Sequence, residues 1–347
     1  MDKELSSSLQ FQTKISFTRK IWRIGLYLLI MGLCFKVFHY ITTAHMYFRK
    51  DICKKPLAWK EPLGRLDPSW TPFLTIEELH LTRHSQSKEL FQNNLPFGLN
   101  NTVFLAAEVL LLLPQQGLPN SIKRLPCRKC IVVGNSFSLR GRGLGQKIDT
   151  FDIIIRLNDA PVKGFQEDVG EKTTIRLFFP ESALPNPLDN NEEDTLMVLV
   201  PFKAQDFIWI KEILRKTPLK TSKGFWKPPP QVWNGKASHL RVLNPFVTYE
   251  TTYIILKLRK SSQKWSTTGF IALNLALHIC HEVSIVGFGY PDINDNTTPV
   301  HYYKNDYVSS IRLVPHDIPT EQMWLLKLVE KGLISDLSRT ASWVWGN

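Results

Sequence analysis

No block of five or six basic residues occurs in this chain, although its formal net charge is +12. The scattered Lys and Arg argue against a nucleic-acid-binding tail and leave other anionic partners, such as membrane lipid or an acidic small molecule, open. There is no internal repeat and no collagen-like period, and 43% hydrophobic with 21% charged residues is the composition of a folded globular chain. Cysteine is scarce, with five residues in all. Cys127 and Cys130 form a Cys-x-x-Cys pair, but no second pair completes the four ligands of a structural zinc site. At 347 residues the chain has room for one large domain and an anchor, and a second independent enzyme domain is not expected.

Long apolar runs are absent except near the N-terminus. From Ile21 to Ile41 a hydrophobic stretch approaches membrane-spanning length, interrupted by Arg23, Lys36 and His39. About twenty residues precede it and carry Lys14, Arg19 and Lys20, which favours a signal anchor. A cleaved signal, with Thr42-Thr43-Ala44 as its site, and a buried helix are the alternatives. Arg49, Lys50, Lys54 and Lys55 on the far flank leave the charge rule for orientation ambiguous. Prolines 56, 62, 68 and 72 then forbid a continuous helix and predict an extended stem. The expected organisation is a tail over 1–20, an anchor over 21–44, a stem over 45–75 and a globular domain over 76–347.

Within that domain Val103 to Leu113 reads as a core helix that ends before Pro114. From Cys127 onward, short runs rich in Val and Ile alternate with helical segments, the pattern of an α/β domain with a mainly parallel sheet. Strands are expected over 131–133, 152–156, 174–178, 195–200, 240–243 and 283–286, and helices over 206–216, 248–258, 269–279 and 320–331. In such open sheets ligands sit beyond the carboxyl ends of the strands, so the residues just after each strand are the ones to read for function.

The first such stretch is Gly134-Asn135-Ser136, followed by Gly141-Arg-Gly143-Leu-Gly145. A strand running into a polar, glycine-rich loop offers backbone amides and a helix N-terminus to a phosphate. A dinucleotide fold is disfavoured, because the glycines come late after the strand and the second strand ends in Arg156-Leu157-Asn158 where an acidic ribose ligand would be wanted.

The segment from Cys127 to Pro180 resembles the large sialyl motif of animal sialyltransferases. The residues that carry the likeness are Cys127-Arg-Lys-Cys130-Ile-Val-Val-Gly-Asn-Ser136, Phe151-Asp152, Ile155-Arg-Leu-Asn158, Ala160-Pro161, Val169-Gly170 and Thr173-Thr-Ile-Arg176. Three further matches follow in the family's order: Thr267-Thr268-Gly269 through Cys280-His-Glu-Val and Gly287-Phe288, then His301-Tyr302-Tyr303, then His316 with Glu321. The resemblance implies a variant GT-A fold, a Rossmann-like sheet with helices on both faces behind a single N-terminal transmembrane helix. It implies an inverting, metal-independent transfer of sialic acid from CMP-sialic acid, with no cofactor. The sequence agrees on the metal: it has no Asp-x-Asp, the usual holder of a divalent cation against a diphosphate.

By the same resemblance His316 is the general base and His301 contacts the donor phosphate or orients the acceptor. Asn135, Ser136 and Asn158 bind the cytidine and ribose, and Thr267, Thr268 and Gly269 open a helix whose amides bind the sialic acid carboxylate or phosphate. Thr267 or Thr268 as a plain N-cap, and Glu321 as an acidic first-turn residue, are the non-catalytic readings. The family pairs Cys130 with Cys280 and Cys127 with a cysteine nearer the stem, for which Cys53 is the candidate. Such bridges persist in an oxidising lumen, and sequons at Asn100 and Asn296 are consistent with it. A type II protein of the Golgi membrane follows. Two departures are Phe137, where the motif usually has glycine, and Trp265, where some relatives carry tyrosine near the phosphate.

Outside the motifs Pro96-Phe97-Gly98, Leu118-Pro119, Arg241-Val-Leu-Asn244-Pro245, Glu250-Thr251 and Leu325-Leu-Lys-Leu-Val329 resemble α2,3-sialyltransferases of the lactosylceramide type. The acceptor expected on that likeness is a glycolipid, lactosylceramide or galactosylceramide, with glycoprotein N-acetyllactosamine second. A donor-binding lectin without catalysis is the non-enzyme alternative.

Overall fold

The computed structural model describes residues 25–42, 71–80, 85–218, 223–292, 294–311 and 315–339. The chain forms two compact units, Met1–Cys53 and Lys54–Asn347. In the first, α1 spans Gly25–Thr42, 18 residues of mean hydropathy 1.5, long and apolar enough to cross a membrane. Its last residue turns back on the helix, with Thr42 Oγ1 donating to the Phe38 and His39 carbonyls. The expected tail (1–20) and most of the expected stem (45–75) lie outside the described residues.

The second unit is built on a seven-stranded sheet in the order β5-β4-β3-β2-β1-β6-β7. The strands are β1 (Lys129–Val133), β2 (Ile153–Leu157), β3 (Ile175–Phe178), β4 (Leu196–Leu199), β5 (Leu240–Val242), β6 (Glu282–Val286) and β7 (Ser335–Asp336). Every neighbouring pair is parallel. The six apolar runs became strands. The seventh has two residues and no apolar run, and therefore no sequence signal.

Alternation along the strands sorts side chains onto two faces. Cys130, Val132, Ile153, Ile155, Ile175, Leu177, Val198 and Ile285 face one continuous core. That core is covered by α4 (Pro245–Tyr249), α5 (Thr268–Ile279) and α6 (Ile318–Glu330). On the other face α2 (Val103–Leu110) and α3 (Ala204–Arg215) pack over β3 to β5, while a second cluster containing Leu139, Ile148 and Val169 covers β1, β2 and β6. Helices on both faces of a parallel sheet are the layout expected from the sequence.

The helix expected over 248–258 begins earlier, at Pro245. Pro245 starts the helix instead of breaking it, because a proline at the first helical position has no N–H to lose. Asn244 Oδ1 accepts the Phe246 amide at 3.0 Å and caps the helix. The continuation Glu250–Ile255 is a wider π-turn. Its buried Glu250 and Thr251 meet Asn274 Nδ2 of α5 at 2.9 and 3.0 Å, and Glu250 also meets His278 Nε2 at 2.6 Å.

Cys130 and Cys280 are bonded, with Cα atoms 6.1 Å apart and a sequence separation of 150. Cys127 is disulfide-bonded as well; its expected partner Cys53 lies outside the described residues. Cys34 of α1 is free. Because closing so long a loop removes much of the unfolded chain's freedom, replacing Cys130 and Cys280 together by serine should cost about 2–5 kcal/mol of folding stability. Urea denaturation of the parent and the double variant measures this.

Candidate functional site

The strand order runs outward from β1 to β5 on one side and restarts with β6 on the other. A crevice opens where the order reverses, at the carboxyl ends of β1 and β6. There the two backbones nearly touch. Gly134 donates its amide to the Val286 carbonyl at 2.8 Å, and Ser136 to that of Gly287 at 3.0 Å. A Cβ on Gly134 would stand 2.2 Å from the Gly287 carbonyl oxygen, and Gly287 itself has φ +69°, so both positions require glycine. Around this junction lies a cavity of about 630 Å³.

All eight sequence-predicted site residues line it: Asn135, Ser136, Asn158, Thr267, Thr268, Gly269, His301 and His316. Asn158 follows β2 in a left-handed conformation, φ +55°. Its carbonyl accepts from Arg176 Nη1 at 2.9 Å. Its side-chain Oδ1 is buried without a partner. Ser136 Oγ accepts the Ser138 amide, and Tyr302 donates its amide to the Asn135 carbonyl.

Thr267 both caps α5 and does more. Its Oγ1 accepts the Phe270 amide at 3.2 Å and donates to Glu321 Oε2 at 2.7 Å, while its own amide donates to Glu321 Oε1 at 2.7 Å. The donors of Thr267 are therefore committed, leaving the Thr268 and Gly269 amides as the helix-start groups that can meet an anion. Glu321 is not simply a first-turn carboxylate facing water. It is buried, and burial raises its pKa to about 7 against the pull of the Thr267 bonds.

His316 is positioned by the residue that departs from the family pattern. Its Nδ1 lies 2.9 Å from the Trp265 carbonyl oxygen. A carbonyl can only accept, so Nδ1 carries the proton and Nε2 keeps its lone pair. The Trp265 ring meets the imidazole edge-on at 6.1 Å, and burial lowers the His316 pKa below its ordinary value. His301 pairs with the strand-end loop, forming a bridge with Ser136, and its Nδ1 lies 2.6 Å from Asp306 Oδ2. Tyr302 and Tyr303 beside it pack on the core. The histidine thus has a cavity position and its neighbours a structural one.

The glycine-rich loop is a correction. The Gly141 and Gly143 amides, expected to meet a phosphate, donate instead to the two oxygens of Asp168 at 2.8 and 2.9 Å, and neither glycine lines the cavity. Phe137 opens a short 3-10 turn and does not line the cavity either. Sequence reasoning missed Phe179 and Glu181, which follow β3, and Phe202 and Lys203, which follow β4. The rule of reading just past each strand would have found all four. Trp226, in a loop between β4 and β5, carried no such signal.

Residues 79–333 match the family described as glycosyltransferase family 29 (sialyltransferase). Over 249 residues the chain is 44% identical to the CMP-N-acetylneuraminate-beta-galactosamide-alpha-2,3-sialyltransferase 4 of Mus musculus, covering 70% of this chain and 74% of that protein. It is 36% identical over 274 residues to the type 2 lactosamine alpha-2,3-sialyltransferase of Homo sapiens, covering 77% and 81% respectively. A crystal structure of a mammalian sialyltransferase in complex with Gal-beta-1-3GalNAc-ortho-nitrophenol superposes with a TM-score of 0.60 at 26% identity, over 79% of this chain and 92% of that one.

Thr267→Ala removes the cap and one of the two bonds to the buried Glu321 carboxyl, the backbone amide keeping the other, and should destabilise the fold by about 2–4 kcal/mol. Thr268→Ala, outside that network, should cost about 1 kcal/mol or less. Chemical denaturation of the two variants beside the parent gives the comparison.

Proposed function

We propose, from the premise that this chain belongs to glycosyltransferase family 29, the sialyltransferases, that it joins sialic acid from CMP-sialic acid to the 3-hydroxyl of a terminal galactose with His316 as general base. The observation that carries the proposal is the His316 tautomer. Nδ1 is tied to the Trp265 carbonyl and burial disfavours the imidazolium, so Nε2 is a lone-pair acceptor near neutral pH.

In the proposed step Nε2 takes the proton of the galactose 3-hydroxyl as its oxygen bonds to the anomeric carbon of sialic acid. The bond from that carbon to the phosphate oxygen breaks, CMP departs with the electron pair, and the configuration inverts. His301, rotationally fixed by Asp306, presents its ring to the phosphate. Asn135, Ser136 and Asn158 read the nucleoside, with the unpartnered Asn158 Oδ1 accepting from it. The Thr268 and Gly269 amides at the start of α5 receive a donor anion.

Neither the donor with its single phosphate nor the sequence without Asp-x-Asp calls for a divalent cation, and we propose transfer without one. Among the described residues no group of three or more His, Cys, Asp or Glu is placed to hold a metal ion. The acceptor we favour is a terminal β-galactoside of the lactosamine kind, as the names of the relatives suggest. The short segments that resemble the lactosylceramide type keep a glycolipid as the second reading. With α1 as the anchor, the protein would sit in the Golgi membrane as a type II protein with its enzyme domain in the lumen.

His316→Ala should lower turnover by roughly 10²- to 10⁴-fold while CMP affinity, measured by calorimetry, survives. The parent should lose activity as the pH falls through the His316 pKa, on the acid side of the ordinary value of about 6.5, and that limb should vanish in the variant. A proportional loss of CMP affinity would take the base role away from His316. Full activity in EDTA is expected; restoration by manganese of an activity lost to EDTA would contradict transfer without a metal. The full chain in detergent, given N-acetyllactosamine, lactosylceramide and galactosylceramide in parallel, should prefer the first.

A further inference from the structure

Among the described residues that line the cavity Lys203 is the one lysine or arginine, and it is held more tightly than a surface cation. Its Nζ lies 2.8 Å from Glu181 Oε1 and 2.8 Å from Asp206 Oδ1, two carboxylates whose side chains are wholly buried, and 4.8 Å from the centre of the Phe225 ring. Nζ donates to Glu181 and forms an ion pair with Asp206, so at least one of the three ammonium donors remains, and the side chain is still partly open to solvent. Glu181 lines the same cavity, and its second oxygen, Oε2, is buried with no hydrogen-bond partner.

The charges decide what this pair can hold. Two carboxylates around one ammonium leave no net positive charge, so the cluster does not attract a donor that carries both a carboxylate and a phosphate. A neutral hydroxyl is different. It accepts one hydrogen bond and donates another, and a free N–H beside an unpartnered carboxylate oxygen offers both. Next to Phe225 in the chain, Trp226 lines the cavity and is 75% exposed, while Phe179 and Phe202 meet edge-to-face at 5.5 Å in the cavity wall. Flat apolar rings beside a polar pair suit the C–H face and hydroxyl edge of a pyranose. The position agrees. Glu181 and Lys203 follow β3 and β4, whereas Asn135 follows β1, which at strand spacing is about 10–14 Å away along the sheet edge.

We propose that Lys203, Glu181 and Trp226 bind the galactoside acceptor, Lys203 donating to and Glu181 accepting from its non-reacting hydroxyls while a sugar face rests on Trp226. This rests on the sialyltransferase reading of the cavity, since it assigns a substrate to one part of it.

The test is steady-state kinetics on the full chain in detergent, varying a lactosamine acceptor at saturating CMP-sialic acid and the reverse. Calorimetry with CMP, and hydrolysis of CMP-sialic acid without acceptor, are run beside it. Lys203→Met, Glu181→Gln and the exposed Trp226→Ala should each raise the acceptor KM by about tenfold, the equivalent of one hydrogen bond or ring contact, with the donor KM, CMP affinity and acceptor-free hydrolysis unchanged. Trp226→Ala keeps the test decisive if either variant of the buried pair fails to fold. Acceptors lacking the galactose 4- or 6-hydroxyl should lose affinity with the parent, and at least one of them should lose no more with Lys203→Met. A rise in donor KM or fall in CMP affinity in Lys203→Met or Trp226→Ala, with the acceptor KM unmoved, would overturn the proposal. An acceptor KM unmoved in Trp226→Ala and in every folded variant of the pair would overturn it equally. A parent chain that neither binds CMP nor hydrolyses CMP-sialic acid would instead overturn the family reading of the cavity, and this inference with it.

Discussion

Two positive charges lie side by side in the interior of the sheet domain, and the backbone around them is arranged to satisfy them. Arg156 of β2 and Arg176 of β3 are directly in register and almost completely buried. Burial lowers both pKa values, to about 10 and about 9, and the neighbouring charge of Arg156 lowers Arg176 further. Both remain cationic at neutral pH. A buried guanidinium must find acceptors for its N–H groups, and these find backbone. Arg156 gathers the Val169 and Lys172 carbonyls, and Arg176 those of Asn158, Ala160 and Asn190. The loop leaving β2 and the segments flanking β3 are thereby fixed, and Asn158, which lines the cavity, is held in its left-handed turn.

The same economy recurs in the cavity itself, where main-chain and carboxylate groups dictate where protons sit. A carbonyl of Trp265 sets the tautomer of His316, and Asp306 sets the rotation of His301. Glu321 ties the start of α5 to α6, the helix that follows His316. The residue at 265 contributes to His316 through its main-chain oxygen, an atom that tyrosine would supply equally, so the departure to tryptophan leaves that bond intact.

Much of this was legible in the sequence because the relevant signals are local. Buried parallel strands are short continuous apolar runs, and Ile153–Leu157 and Leu196–Leu199 could be placed from composition alone. Asn135 and Asn158 stood just past such runs, and His301 and His316 were visible through ordered motifs. What escaped depends on contacts between distant segments. Asp168 claims the Gly141 and Gly143 amides from 27 and 25 residues away, and Glu321 reaches Thr267 across 54. No local pattern announces such bonds. The helix expected from 248 starts three residues earlier, at Pro245, because Asn244 caps it there.

The Cys130–Cys280 bond has a mechanical consequence. Cys130 is the second residue of β1, whose far end runs into Asn135; Cys280 ends α5, whose far end is Thr268. At about 3.3 Å per strand residue and 1.5 Å per helix residue, both arms measure about 16–18 Å from the crosslink to the cavity. They form a pair of compasses pinned at the hinge, with the loop proposed to read the nucleoside on one point and the Thr268 and Gly269 amides on the other. A rotation of about 10° at the pin would spread the points by about 3 Å at that arm length, the whole length of a hydrogen bond. The covalent pin sits away from the cavity and fixes where the two arms meet, while the packing of α5 on β1 sets the angle to which the spacing of their far ends is most sensitive.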